Sequence, residues 1–359
     1  MTSPKPSLSS AARLREIDAL FATGGLERSP HKKTSVKPGF SRVENGTKKP
    51  RTNKGAYPSP DLDPLVLRVQ EWRQFPWLIH GFSTRSGGVS TIYSADTGCG
   101  ELNLGLTPAD SAENVRKNRE LFARSVQGKK RKKSSPMPLV LLRQIHSGLV
   151  HLASEQEMQD NADSAVLRGD GSITANPGML LGIQTADCLP ILVADVRLRI
   201  VAAFHAGWRG TLSRIAERGV GRMRAQFGSR PGDLTAAIGP GIGGCCYAVG
   251  EEVRMEFNSQ FTYADTLFRE VFDLDPIKEK YPMLFLTARA PGHSNLGPSL
   301  HLDLVEANRR QLLDAGISAH KVHAMGLCTS CDRKRFFSHR ADHGFTGRML
   351  SVIGIAPRW

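Results

Sequence analysis

A chain of 359 residues, 40% hydrophobic, can bury a substantial core, and its six cysteines are too few for a disulfide scaffold at this length. No apolar run approaches the roughly 20 residues that cross a bilayer, and the N-terminus lacks the apolar core of a secretory signal, so a cytoplasmic protein is expected. The net charge of +14 argues against a nucleic-acid groove: residues 1–56 and the run Lys129–Lys133 supply 13 of those charges and leave the body near neutral.

Residues 1–60 are rich in Ser, Lys, Pro, Gly and Asn. They cannot bury enough apolar surface to offset their ordering entropy, so a disordered basic tail is expected. A folded domain is expected over 61–359, with a basic loop insertion at 128–138. His80–Ser90 reads as a strand end entering a glycine loop, where Ser83, Thr84 and Arg85 offer hydroxyls and a guanidinium to an anion. An ordinary tight turn with a surface arginine accounts for the same residues. A helix is expected from about Ala112 to Val126. Leu139–His146 reads as a strand ending on a histidine.

Gly182–Thr211 organises the chain. Two apolar runs, Leu189–Ala194 and Ile200–Phe204, flank a short charged link and predict a hairpin of buried strands. The start of one antiparallel strand lies beside the end of the next, so Cys188 and His205 can meet across 17 positions. A thiolate and an imidazole there suit either a metal pair or a nucleophile and its base. Gly207–Thr211 opens a helix running to about Phe227, whose N-terminal amides and Arg209 suit an anion.

Thr235–Gly239 reads as a strand leading into Pro240–Tyr247, a glycine loop with no Walker lysine. A helix follows from about Gly250. Leu302–Ala315 is an amphipathic helix with Asp303 near its start and Gly316 as its stop, and Met349–Ile355 is a strand. Cys328-Thr329-Ser330-Cys331, together with Cys245 and Cys246, raises the idea of a four-thiolate zinc site. Adjacent cysteines suit a tetrahedral knuckle poorly and there is no second C-x-x-C, so these residues are expected to be small buried groups that shape the pocket.

The motifs Gly81–Arg85, Gln144–His146, Thr185-Ala186-Asp187-Cys188-Leu189-Pro190 and His205-Ala206-Gly207-Trp208-Arg209-Gly210-Thr211 occur in this order. Ile238-Gly239-Pro240, Cys246-Tyr247, Cys328-Thr329, Ser338-His339-Arg340 and Gly347-Arg348 follow them. From about Leu65 onward the sequence resembles the YfiH-like, laccase-domain proteins, labelled polyphenol oxidases and understood as purine nucleoside phosphorylases. The resemblance implies an α+β fold: two packed mixed β-sheets flanked by helices, an α/β/β/α sandwich in a single domain. It implies a zinc site, with copper as the other candidate, made by His146, Cys188 and His205. It further implies phosphorolysis of adenosine, inosine and methylthioadenosine, with some adenosine deamination. Ser147, Gly241, Gly244 and His339 depart from the family pattern, and His339 bears on substrate preference.

Two imidazoles and one thiolate leave a fourth zinc position open, the mark of a catalytic site. Ser83, Arg85, Arg209 and Arg348 are the candidates for holding substrate or phosphate. Asp187 is a candidate for orienting a ligand histidine or acting as a general acid. Two other readings compete: a copper-dependent phenol oxidase, and a cysteine hydrolase using Cys188 and His205. The expected partners are purine nucleosides and phosphate, with no membrane and no specific nucleic acid. No sequence feature sets an oligomeric state.

Overall fold

The computed structural model describes residues 65–93, 100–128, 135–154, 167–272 and 298–357, which all belong to one compact unit spanning 58–359. The basic tail, the run 129–133, Cys99 and most of the segment between Phe257 and Pro298 lie outside the described residues.

One sheet has the order β1 (Val66–Leu67), β2 (Leu78–Ser83), β15 (Met349–Ile355), β7 (Leu180–Thr185), β4 (Leu139–Leu141). Its pairs are antiparallel except β4 with β7. The larger sheet has the order β14 (Val322–Ala324), β10 (Leu234–Ile238), β8 (Leu189–Asp195), β9 (Ile200–Ala206), β6 (Gly171–Thr174), β5 (Val150–Leu152). Its two end pairs are parallel and the rest antiparallel. A small third sheet joins β11 (Ala248–Val249), β13 (Ser299–Leu302) and β12 (Phe268–Val271), and β3 (Ser86–Ser90) makes isolated bridges to Glu101.

Strand periodicity explains how the layers stack. In β8 and β9, Leu192, Ala194, Val201 and Ala203 meet Leu181, Ile183 and Ile353 of the first sheet. The alternate residues Ile191, Val193, Ala202 and Phe204 face the other way. They pack against α3 (Ile215–Phe227), α4 (Glu251–Gln260) and α5 (Leu304–Asp314) through Val220, Met223, Phe257 and Leu312. The outer face of the first sheet is covered by Phe122 and Val126 of α1 (Ala112–Gln127). The result is the expected α/β/β/α sandwich. Because both faces of the central strands are covered, their sequences read as unbroken apolar runs. Each fully buried Leu, Ile or Phe contributes about 1.5–3 kcal/mol, so emptying one of these positions is costly.

Helix ends follow their caps. Ser111 Oγ accepts from the Asn114 amide and Asp303 Oδ1 from the Glu306 amide, each satisfying an otherwise orphaned N–H. The helix expected from Gly207 to Phe227 is two helices, α2 (Trp208–Leu212) and α3. Arg214 breaks it with a left-handed backbone (φ 57°, ψ 43°) while its guanidinium donates to Glu217 and to the Gln260 carbonyl. The strand expected over Leu139–His146 ends at Leu141. Beyond it the Gln144 side chain continues the ladder: its amide donates to the Gln184 carbonyl and accepts from the Gln184 N–H, both at 2.8 Å. The main chain is thereby free to turn away, and His146 sits in a loop at φ 59°.

Candidate metal centre

The site forms where the chain changes sheets. Strand β7 ends at Thr185 in one sheet and β8 begins at Leu189 in the other, so three residues must turn the corner. Asp187 takes the turn at φ 92°, a conformation costly for a side-chain-bearing residue. Its carboxylate holds that turn: Oδ1 accepts from Thr329 Oγ1 and Oδ2 from the Arg340 amide, both at 2.7 Å. Its own carbonyl accepts from the Ile242 amide. Cys188 is thus fixed at the corner, and the register pairing Pro190 with His205 brings the second ligand beside it.

His146, Cys188 and His205 converge, with their ligand atoms within 4.8 Å of one another. Cys188 Sγ lies 3.8 Å from His146 Nε2, and the two imidazole rings are 4.9 Å apart at 72°. Gly207 leaves room for them: a Cβ there would lie 2.9 Å from Cys188 Sγ and 3.0 Å from His146 Cδ2. Two imidazole nitrogens and a thiolate, one of them fully buried behind the others, are a donor set that fits zinc, and copper shares the same affinities.

Asp170, absent from the sequence-derived candidates, organises this trio. Fully buried, it accepts from the amides of Ile145, His146 and Ser147, from Ser147 Oγ at 2.7 Å, and from His205 Nδ1 at 2.8 Å. The last bond puts the His205 proton on Nδ1 and leaves Nε2 as the ligand atom. The orienting task expected of Asp187 therefore falls to Asp170, and Asp187 serves the corner instead. Ser147, one of the departures from the family pattern, supplies two of the donors.

Electrostatics follow from this packing. Burial alone would raise the Cys188 thiol, but the His205 charge and hydrogen bonds from both imidazoles bring it down to about 6. His205 is pushed up to about 9, since the Cys188 thiolate and the Asp170 hydrogen bond outweigh a burial that would lower it. Asp170 is held at about 2, its burial more than offset by His205 and Ser147.

The trio opens onto a cavity of about 570 Å³. Arg348, Arg119, Arg143 and His339 line it, together with Leu106, Leu141 and Leu142. Arg348 is held in place by the Thr346 and Gly347 carbonyls. The other sequence-derived anion ligands lie elsewhere. Arg85 is committed to Glu101 and to the carbonyls of Arg333, Phe336 and Tyr93, and it stacks 4.6 Å over Phe337. Buried Ser83 accepts from the Leu350 amide at 2.9 Å. Exposed Arg209 stacks on Trp208 at 4.2 Å. None of the three lines the cavity. Arg119 and Arg143 were invisible as site residues because each sits in a stretch that reads as plain helix or strand.

The four cysteines expected to be buried do not behave so. Cys245 and Cys331 are exposed, Cys246 and Cys328 half-buried, and all four thiols gather in a second cluster. The adjacent pair fits because Gly243–Tyr247 forms a tight helical turn, with the Cys246 and Tyr247 amides both donating to the Gly243 carbonyl.

No helix among the described residues is long and apolar enough to cross a membrane. Residues 79–356 match the family model described as multi-copper polyphenol oxidoreductase laccase. The purine nucleoside phosphorylase YlmD of Bacillus subtilis is 31% identical over 299 residues, covering 81% of this chain and 95% of that protein. The adenosine deaminase RL5, from an unknown prokaryotic organism, is 35% identical over 218 residues, covering 60% and 74%. The crystal structure of the Bacillus licheniformis hypothetical protein YfiH superposes with a TM-score of 0.66 at 31% identity, covering 82% of this chain and 97% of that one. With matches spanning both sheets and all three members of the trio, the chain belongs to the laccase-like family that this model describes, alongside YfiH and YlmD.

Proposed function

We propose that the protein is a zinc-dependent purine nucleoside phosphorylase acting on adenosine, inosine and methylthioadenosine, with adenosine deamination as a side activity. The observation that carries this reading is a three-donor set, one ligand short of a closed zinc site, on the wall of a cavity that also holds three arginines. At about 570 Å³ the cavity suits a nucleoside and phosphate together. The names of the relatives agree with it.

His146, Cys188 and His205 would hold the ion, which when bound would supply Lewis acidity. Asp170 keeps the His205 ring oriented through its Nδ1 proton. Arg348, with Arg119 and Arg143, binds the phosphate dianion, because a guanidinium matches an oxyanion with two parallel donors. Leu106, Leu141 and Leu142 give the purine an apolar surface and exclude water from it. In phosphorolysis the glycosidic bond breaks, an oxygen of the phosphate dianion bonds the anomeric carbon, and the proton that the phosphate carried passes to the departing base, leaving ribose 1-phosphate as the dianion. His339, a hydrogen-bonding side chain on the same cavity, sets substrate preference.

A second reading has one observation in its favour. A Cys188 thiolate beside two imidazoles is also the arrangement of a cysteine nucleophile and its base. A multicopper oxidase is disfavoured, since one His-Cys-His set among the described residues supplies too few imidazoles.

Free base released from inosine and adenosine, measured with and without phosphate, tests the proposal. Phosphate-dependent release of base with formation of ribose phosphate is the expected result. Release indifferent to phosphate, or oxygen uptake with phenols, would overturn it. Alkylation of Cys188 with loss of a hydrolytic activity in metal-free protein would favour the second reading.

A further inference from the structure

The second cysteine cluster lies outside the cavity and takes no part in the chemistry above. Its four Sγ atoms are within 4.8 Å of one another, with Cys331 Sγ at 3.4 Å from Cys245 Sγ and 3.3 Å from Cys246 Sγ. A zinc ion with four sulfurs at about 2.3 Å needs a tetrahedron of edge about 3.8 Å, which is the size of this cluster. One thiol approaching two others equally is the vertex of a polyhedron, whereas a disulfide would single out one partner.

The backbone around the cluster is prearranged. The Gly243 amide donates to Cys328 Sγ at 3.2 Å, the kind of N–H contact that steadies a thiolate ligand. A Cβ at Gly243 would lie 3.2 Å from Cys245 Sγ and 3.3 Å from Cys328 Cβ, so the glycine lets the two loops close on each other. At the cluster itself, Gly241 and Cys328 form a parallel bridge, with the Gly241 amide donating to the Leu327 carbonyl and the Thr329 amide to the Gly241 carbonyl.

We propose that Cys245, Cys246, Cys328 and Cys331 form a closed tetrathiolate zinc site. Binding converts four thiols to thiolates, with four protons released and no change of oxidation state. Four soft ligands select zinc over magnesium or calcium, and no coordination position is left for substrate, so the site is structural. It clamps the Pro240–Tyr247 loop to the segment after β14, residues 82 positions apart at Cys246 and Cys328. Both segments brace the Cys188 corner, the first through the Ile242 amide on the Asp187 carbonyl, the second through Thr329 on the Asp187 carboxylate. The ion thus fastens the turn that presents Cys188.

The test uses the full chain produced with zinc and purified under reductant, in a Cys188→Ala background that removes a ligand from the other cluster. Elemental analysis is expected to find about one zinc per chain, a closed tetrahedral complement. Replacing that zinc with cobalt should give the intense visible absorption of a tetrathiolate complex. Adding Cys331→Ser, at an exposed position, should abolish both signals; Cys245→Ser serves as a second variant. In the Cys188→Ala protein with all four cluster thiols intact, these thiols should resist a thiol reagent until a chelator is added, a readout that needs no substitution within the cluster. Zinc-free Cys188→Ala protein, zinc retained after both serine replacements, immediate reaction of the thiols, or a mass deficit of two hydrogens per cysteine pair would each overturn the proposal. Because the background lacks Cys188, none of these outcomes depends on the nucleoside phosphorylase reading.

Discussion

The two thiol-bearing clusters both bear on the corner at Asp187 and differ in the number and setting of their donors. His146, Cys188 and His205 number three, lie at the junction of two sheets and open onto a cavity, with a buried carboxylate behind them. Cys245, Cys246, Cys328 and Cys331 number four, range from half-buried to exposed and lie outside that cavity. Three donors on a cavity wall leave a place for a reactant, and four donors closed on one another leave none. The contrast teaches that donor count and surroundings, more than the mere presence of cysteine, separate a reactive centre from a brace.

The sharpest way to break the comparison is Asp170→Ala. It strips the acceptor from three consecutive amides and the His205 ring in a fully buried place, and should cost about 3–5 kcal/mol of stability. Metal at the trio should be lost and zinc at the four cysteines retained, as elemental analysis with thermal or urea unfolding would register.

Acidity should act on the trio next. The metal competes with a proton on His205 below about pH 9 and with another on Cys188 below about pH 6. Affinity should therefore fall as pH falls, by about tenfold per unit between 9 and 6 and more steeply below 6. Competition titration against a chromophoric chelator across that range checks both the sign and the break. A flat profile would mean that the Cys188–His205 pair does not carry these protons.

A smaller difference should separate two arginines. Arg348→Met should raise KM for phosphate by about tenfold or more, as expected for an anion contact made within the cavity, with a smaller stability loss than Arg85→Met because only the Thr346 and Gly347 carbonyls lose their donor. Arg85→Met should do the reverse. It leaves the Glu101 carboxylate and several carbonyls without their donor, at a cost of about 1–3 kcal/mol, with KM for phosphate unmoved. Steady-state kinetics alongside denaturation curves would distinguish them.

These residues also mark how far the sequence could be read. The hairpin was legible because two β-branched runs and a short charged link admit few registers, and that register alone brings Cys188 beside His205. Met349–Ile355 and the caps at Ser111 and Asp303 were legible for equally local reasons. Asp170 was not. It stands between two glycines and looks like a turn residue, and the groups it holds lie 24 and 35 positions away. Ser83 and Arg85 misled in the opposite sense. Hydroxyls and a guanidinium in a glycine loop suit an anion on paper, but long-range partners at Leu350, Glu101 and Arg333 had already claimed them. The cysteines misled because spacing rules describe a single knuckle, while here two loops brought together by parallel strands each contribute a pair.

The most direct test of the reactive centre is Cys188→Ala, assayed for nucleoside turnover and for metal bound in excess of that held by the four surface cysteines. Loss of both is the predicted result. A variant that keeps either its phosphate-dependent release of base or the metal at His146 and His205 would contradict the account.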